Sequence, residues 1–202
     1  MQFSPLTVSS LIIGPLRYFF STYGSSNKLV WNDDPKIRTI EIDEYNNLHQ
    51  ITFDGRPRIL VDRGGYRMDK TGISDNMAQA QAFSQTQGLE DRINFILYSG
   101  TAQITIEARQ QGVCELITDM VTHFIAWSRP LICDTQKFKE FGMPMQVGTC
   151  DLLPNQEEDE KFQVVIQLPY IKEEQWHVKN DGIILKAVNT TVIPGPVIVT
   201  TP

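Results

Sequence analysis

The sequence is poor in reactive groups. It has three cysteines, Cys114, Cys133 and Cys150, an odd number at wide spacing. No C-x-x-C pair occurs, which excludes a disulfide scaffold and disfavours a zinc or thioredoxin-like site. Free thiols in a reducing compartment are expected. Histidine is equally scarce. His49 and His177 have no Cys or His at ligand spacing, whereas a metal site needs three or four convergent ligands. Basic residues are outnumbered, 18 Lys and Arg against 24 Asp and Glu, for a formal charge of −6. That balance disfavours a chain whose main task is gripping DNA or anionic lipid. No uninterrupted apolar run of about 20 residues occurs, so no membrane span is expected. Met1 to Phe20 is apolar but broken by Ser9, Ser10, Gly14, Pro15 and Arg17, and lacks the basic start of a signal peptide. There is no G-x-S-x-G, H-E-x-x-H or EF-hand loop, and no internal repeat. No catalytic residue, metal or cofactor is therefore expected.

What is present is an ordinary globular composition, 41% hydrophobic and 21% charged. A chain of 202 residues can bury a core without a metal or disulfide. Gly14 to Phe20 predicts a short N-terminal helix, with Pro15 at its first position and Gly24 to end it. Pro5, Gly14 and Pro15 speak against one long helix, leaving residues 1–14 as an arm, either extended or a kinked helical start. Arg38 to Asp43 alternates as a half-buried strand does. His49–Phe53 and Arg56–Val61 flank Asp54-Gly55, a hairpin turn pair. Ile93–Tyr98 and Thr101–Ala108 flank Ser99-Gly100, a second predicted hairpin. In its second arm Ala102, Ile104, Ile106 and Ala108 face one way; Thr101, Gln103, Thr105 and Glu107 face the other.

From Val113 to Trp127 the apolar residues Val113, Leu116, Ile117, Met120, Val121 and Phe124 fall at helical spacing. Glu115, Thr118, Asp119 and Thr122 occupy the other half, and Pro130 lies past the expected end. Met145 to Leu152, Phe162 to Leu168 and Ile183 to Val188 read as further strands. The pattern predicts an α+β fold: an antiparallel β-sheet with a long amphipathic helix packed on one face, a short N-terminal helix and extended terminal arms. A single domain spans residues 15–188. It carries a polar Gln/Ala-rich loop at 74–90 and is followed by an apolar, proline-broken arm at 189–202. An apolar arm should dock on its own body or on a neighbour.

The near misses to chemistry are weak. Gly64-Gly65-Tyr66-Arg67-Met68-Asp69-Lys70-Thr71 resembles a phosphate loop, but Asp69 stands where glycine must precede the Lys-Thr pair. Its carboxylate would repel a phosphate. Cys114 and His123 share a helix but lie about 180° apart around its axis. Glu115 and Asp119 have no recognisable base or metal partner, so an exposed acidic face is expected. Arg56, Arg58, Arg63, Arg67 and Lys70 form a modest basic stretch around Tyr66. It can touch phosphate or pair with acidic neighbours.

Several phrases together resemble a tailed-bacteriophage neck protein, nearest the tail-terminator group. They are Pro57-Arg58-Ile59-Leu60-Val61-Asp62-Arg63-Gly64-Gly65-Tyr66, the strand Gln103 to Arg109, the helix Gly112 to Trp127, and Phe162 to Tyr170 with Glu173-Glu174-Gln175-Trp176 just after. The resemblance spans about residues 15–188, and departs from compact members of the group in the 74–90 loop and the long arms. It implies a structural virion protein, not an enzyme. It further implies a closed hexameric ring of identical copies at the head–tail junction, terminating the tail and docking it to the head connector. The implied partners are copies of itself, neighbouring neck, connector and tail-tube proteins, and DNA passing through the lumen without sequence recognition. It implies no membrane partner, and places the protein in the virion and, during assembly, in the host cytoplasm. A head-completion or collar adaptor is the nearest alternative, and a small-molecule enzyme or standalone binding module the remote ones. Candidate interface residues are Arg63, Tyr66 and Arg67, Gln79, Gln81 and Gln85 in the loop, and Val197, Ile198 and Val199 in the arm.

Overall fold

The computed structural model describes residues 6–48, 55–70, 92–153 and 161–178. The chain divides into two units, Met1–Thr71 with Phe95–Glu174, and Gly72–Asn94 with Gln175–Pro202. Of the second, only residues 92–94 and 175–178 are described, as the ends of two strands. The polar loop at 74–90, the strand expected at His49–Phe53, the one at Ile183–Val188 and the arm at 189–202 lie outside the described residues.

The first unit is mixed α+β. Helix α1 (Leu6–Tyr23) leads through a 3-10 turn (Gly24–Asn27) to strand β1 (Glu41–Glu44), a single helical turn α2 (Tyr45–Leu48), β2 (Arg58–Asp62) and β3 (Tyr66–Lys70). Then come β4 (Arg92–Ala108), helix α3 (Gln111–Gln136), β5 (Phe138–Phe141), β6 (Gln146–Val147), β7 (Asp151–Leu153) and β8 (Lys161–Val178). The sheet order is β1-β2-β4-β8-β5; β3 pairs with β4, and β6 and β7 pair with β8.

The sheet is not wholly antiparallel as expected: β1 and β2 run parallel, Ile42 beside Ile59. Parallel pairing needs a crossover that no tight turn can make, and the helical turn α2 lies between the two strands in sequence. β2 then pairs antiparallel with β4, placing Ile59 opposite Ile106 and Val61 opposite Ile104.

Period-2 alternation along β4 is as read from the sequence: Ala102, Ile104, Ile106 and Ala108 are all fully buried. They join one core cluster with Ile42, Ile59, Val164, Ile166, Leu168 and Tyr170 from neighbouring strands. The helices contribute Val8, Ile12, Leu16 and Phe20 from α1, and Ile117, Val121, Phe124, Ile125 and Ile132 from α3. The spacing of three and four marks one buried stripe per helix.

Four expectations need correction. First, α1 begins at Leu6, not Pro15, so residues 6–14 are helical and not an extended arm. Proline removes one helical bond, at a cost of about 3 kcal/mol. Val8, Ile12, Leu16 and Phe20 each bury a side chain worth about 1.5–3 kcal/mol, which outweighs it. Second, α3 continues through Pro130 to Gln136, because Ser128 and Ile132 are buried on either side of the proline. Third, its buried face is turned slightly from the expected one. Thr118 is buried, its hydroxyl donating to the Cys114 carbonyl at 2.8 Å, while Leu116 is exposed.

Fourth, Ser99-Gly100 is not a hairpin turn. It lies inside β4, with Ser99 paired to Arg67 and Gly100 to Tyr66. A Cβ on Gly100 would stand 2.5 Å from the Tyr170 hydroxyl oxygen, so the glycine admits the tyrosine and does not turn the chain. β2 and β3 run in the same direction along β4, and Gly64, whose φ is +63°, sits where the ladder shifts by one residue between them. Gly64 joins β2 to β3, so the phosphate-loop near miss sits between strands and not before a helix.

Candidate functional site

Two surfaces stand out, and the sequence singled out one of them. The anticipated surface is the β3 side of β4. Arg63 follows β2, Tyr66 and Arg67 lie on β3, and all three are exposed. Tyr66 neighbours two buried tyrosines, Tyr98 and Tyr170. Burial raises the Tyr98 hydroxyl above its ordinary pKa, and the Glu174 carboxylate, which accepts its hydrogen bond, pushes it further. Burial likewise raises Tyr170, with Tyr66 adding and Arg63 opposing. Among the described residues the Tyr170 hydroxyl has no hydrogen-bond partner. This patch places two exposed arginines and one exposed tyrosine together, a composition typical of the polar rim of a contact surface. Gln79, Gln81, Gln85, Val197, Ile198 and Val199 lie outside the described residues, so the other members of the expected set are not placed with it.

Two other arginines of the basic stretch, Arg56 and Arg58, are paired with carboxylates of the fold. Arg56 pairs with Glu41 at 3.1 Å. Arg58 donates through Nε to Glu107 Oε2 at 2.5 Å, and Lys161 Nζ reaches Glu107 Oε1 at 2.9 Å. The Gln163 amide donates to the same oxygen at 3.2 Å. Glu107 is 3% exposed and thus carries a buried charge satisfied by two cations and an amide. The register makes this cluster, since Arg58 pairs directly with Glu107 across β2 and β4.

The second surface was not anticipated. The exposed flanks of α1 and α3 form an open groove of about 530 Å³. It is lined by Tyr18, Phe19 and Tyr23 from α1, and by Met120, His123, Phe124 and Trp127, with Asp119, from α3. Phe19 and Phe124 meet with ring centroids 4.8 Å apart and form its floor. Above them Tyr18 is 70% exposed, Tyr23 61% and Trp127 79%. His123 is exposed, with Nδ1 2.8 Å from the Asp119 carbonyl one turn earlier. An apolar groove with two polar side chains suits an apolar occupant. The signal for it lay in residues that fall off the buried stripes: Tyr18 and Tyr23 on α1, and His123 and Trp127 on α3.

Glu115 and Asp119 are exposed. Among the described residues, no group of three or more His, Cys, Asp and Glu is placed to hold a metal ion. Nor is any described helix long and apolar enough to cross a membrane. Comparison with protein-family models finds no match, and comparison with curated proteins finds none either.

Proposed function

We propose that this chain is a structural ring subunit of the tailed-phage neck, working through contacts with identical copies and not as an enzyme. The neck assignment rests on the sequence resemblance. The association rests on the α1–α3 groove, which is the observation that carries the reading. A closed ring uses heterologous contacts, in which one surface of a copy meets a different surface of the next. The groove supplies one such surface. The complement is the segment Val192 to Val199 of the neighbouring copy.

Three features favour that occupant. Residues 187–202 contain no Asp, Glu, Lys or Arg, matching an almost wholly apolar groove. Pro194 and Pro196 each fix their own φ, and a proline-bearing segment has less entropy to lose on docking than a freely jointed one. Grooves walled by tyrosine and tryptophan are the usual receivers of such proline-bearing strands. The Arg63–Tyr66–Arg67 patch forms a second contact to ring copies or to the adjoining neck protein. The acidic balance leaves a lumen through which DNA passes without being held.

Native mass spectrometry tests the association. The intact chain is expected as a closed ring of fixed stoichiometry, six copies if the resemblance extends so far. Removing residues 192–202 and, separately, Trp127→Ser should each return monomers. A monomer of intact chain at high concentration, or rings that survive both changes, overturns the contact. Location is tested by cryo-electron microscopy of the particle, where density for the chain belongs between head connector and tail tube. Its absence from purified particles overturns the neck assignment.

A further inference from the structure

Cys114 and Cys150 are remote in sequence, and the fold brings them together. Cys114 lies in the first turn of α3 and is fully buried. Cys150 immediately precedes β7 and is half-buried against the same core. The register of the sheet edge fixes its position. Asp151 pairs with Gln163 and Leu152 with Phe162, and this register carried one residue further brings Cys150 beside Val164 of β8. Val164 is buried on the helix-covered face, and residues paired across antiparallel strands project to the same face.

Cys114 reaches the same stretch from the helix side. Its Sγ is 3.7 Å from the Phe162 carbonyl oxygen and 3.6 Å from that of Ile106, and it is hydrogen-bonded at the Val164 backbone. The Cys150 thiol is near enough to Cys114 to raise its pKa. Cys133, the third cysteine, lies near the other end of α3.

We propose that Cys114 and Cys150 are a redox pair that closes to an intramolecular disulfide when the protein meets a disulfide oxidant. Oxidised glutathione serves as the example. The Cys150 thiolate, on the more accessible residue, attacks one sulfur of the oxidant. A glutathione thiolate leaves, and a mixed disulfide remains on Cys150. The Cys114 thiol loses its proton and attacks Cys150 Sγ, expelling the second glutathione. Two protein thiols are oxidised and one glutathione disulfide is reduced to two thiols, so electrons and protons balance.

The second step is the slow one. Burial pushes the Cys114 thiol up to about 12; Cys150 and Glu115 add to the rise and the Val164 backbone hydrogen bond opposes it. Cys150, from the segment before β7, and Glu115, on α3 itself, are its titratable neighbours. β4 and β8 face it with the backbone of Ile106, Phe162 and Val164. Closure should therefore accelerate about tenfold per pH unit through the mildly alkaline range, following the thiolate fraction.

The test is intact-mass and peptide mapping of the native chain incubated with oxidised glutathione. Expected is a loss of about 2 Da, with one bridged peptide pair joining Cys114 to Cys150. Cys133→Ala should behave as the parent chain, and Cys114→Ala should stop at a glutathione adduct on Cys150. The bridge closes a loop of about 37 residues, so the oxidised form should melt about 10 °C higher. A Cys150 adduct on the parent chain that fails to resolve at any pH, or a bridge to Cys133, overturns the pair. The mapping on the parent chain stands even if a variant fails to fold.

Discussion

The Glu107 cluster and the α1–α3 groove break the ordinary rule of burial in opposite directions. One hides a carboxylate, the other leaves aromatic rings in water. In the cluster, Arg58, Lys161 and Gln163 satisfy the carboxylate from within the same chain. Nothing further is needed from outside. In the groove, Tyr18, Tyr23 and Trp127 keep most of their surface exposed. Among the described residues nothing covers their apolar area. A buried charge that is fully paired is thus a feature of the fold, whereas a cluster of exposed rings points outward to a partner.

Substitutions at the two sites should separate these roles. Glu107→Ala leaves two cations in a buried setting without their counter-charge, and is expected to cost about 3–5 kcal/mol of stability. Urea denaturation measures it; a loss under about 1 kcal/mol would mean the cluster is hydrated and the contrast is false. Between the extremes stands Tyr170, buried, with no partner for its hydroxyl among the described residues. Tyr170→Phe removes that orphaned group and should raise the melting temperature by about 2–4 °C, since an unmet buried hydroxyl costs about 1 kcal/mol or more.

The tyrosines also set an alkaline limit. Tyr98 and Tyr170 both have raised pKa values in the folded state. Their contribution is complete below the unfolded value near 10 and is lost as pH rises through the folded values. Lys172 acts in the opposite sense, because burial lowers its pKa and favours its neutral form. Thermal melts from pH 8 to 11 should show a fall in stability that Tyr170→Phe reduces. An unaltered alkaline slope in that variant would remove Tyr170 from the account. The smallest change in stability is expected at the groove. Trp127→Ser should shift unfolding by no more than about 0.5 kcal/mol while abolishing association. A large loss of stability there would make Trp127 a core residue after all and end the comparison.

Legibility followed the range of the interactions. The alternation in Ala102–Ala108 was plain because one strand facing a core repeats with period 2. The buried stripe of α3 was nearly plain for the same reason with a period of 3.6. Local breakers misled. Pro15, Pro130 and Ser99-Gly100 carry turn or end signals that burial on both sides overrides. The Tyr66 patch could be named from its basic neighbours, yet its ties to Tyr98 and Tyr170 could not. Neither could the groove, which requires knowing which flank of α1 faces α3. The same holds for Cys114 and Cys150, whose meeting depends on the register of β7 against β8.

By itself the sequence determined that an α+β core forms, and which residues of β4 and α3 enter it, because periodic apolar spacing is a property of one segment. Only the tertiary structure decided which strands run parallel, where the glycines and prolines are tolerated, and which aromatic rings remain uncovered. Those outcomes depend on pairs of segments distant along the chain. Packing energy, summed over many contacts between them, is larger than any single local preference.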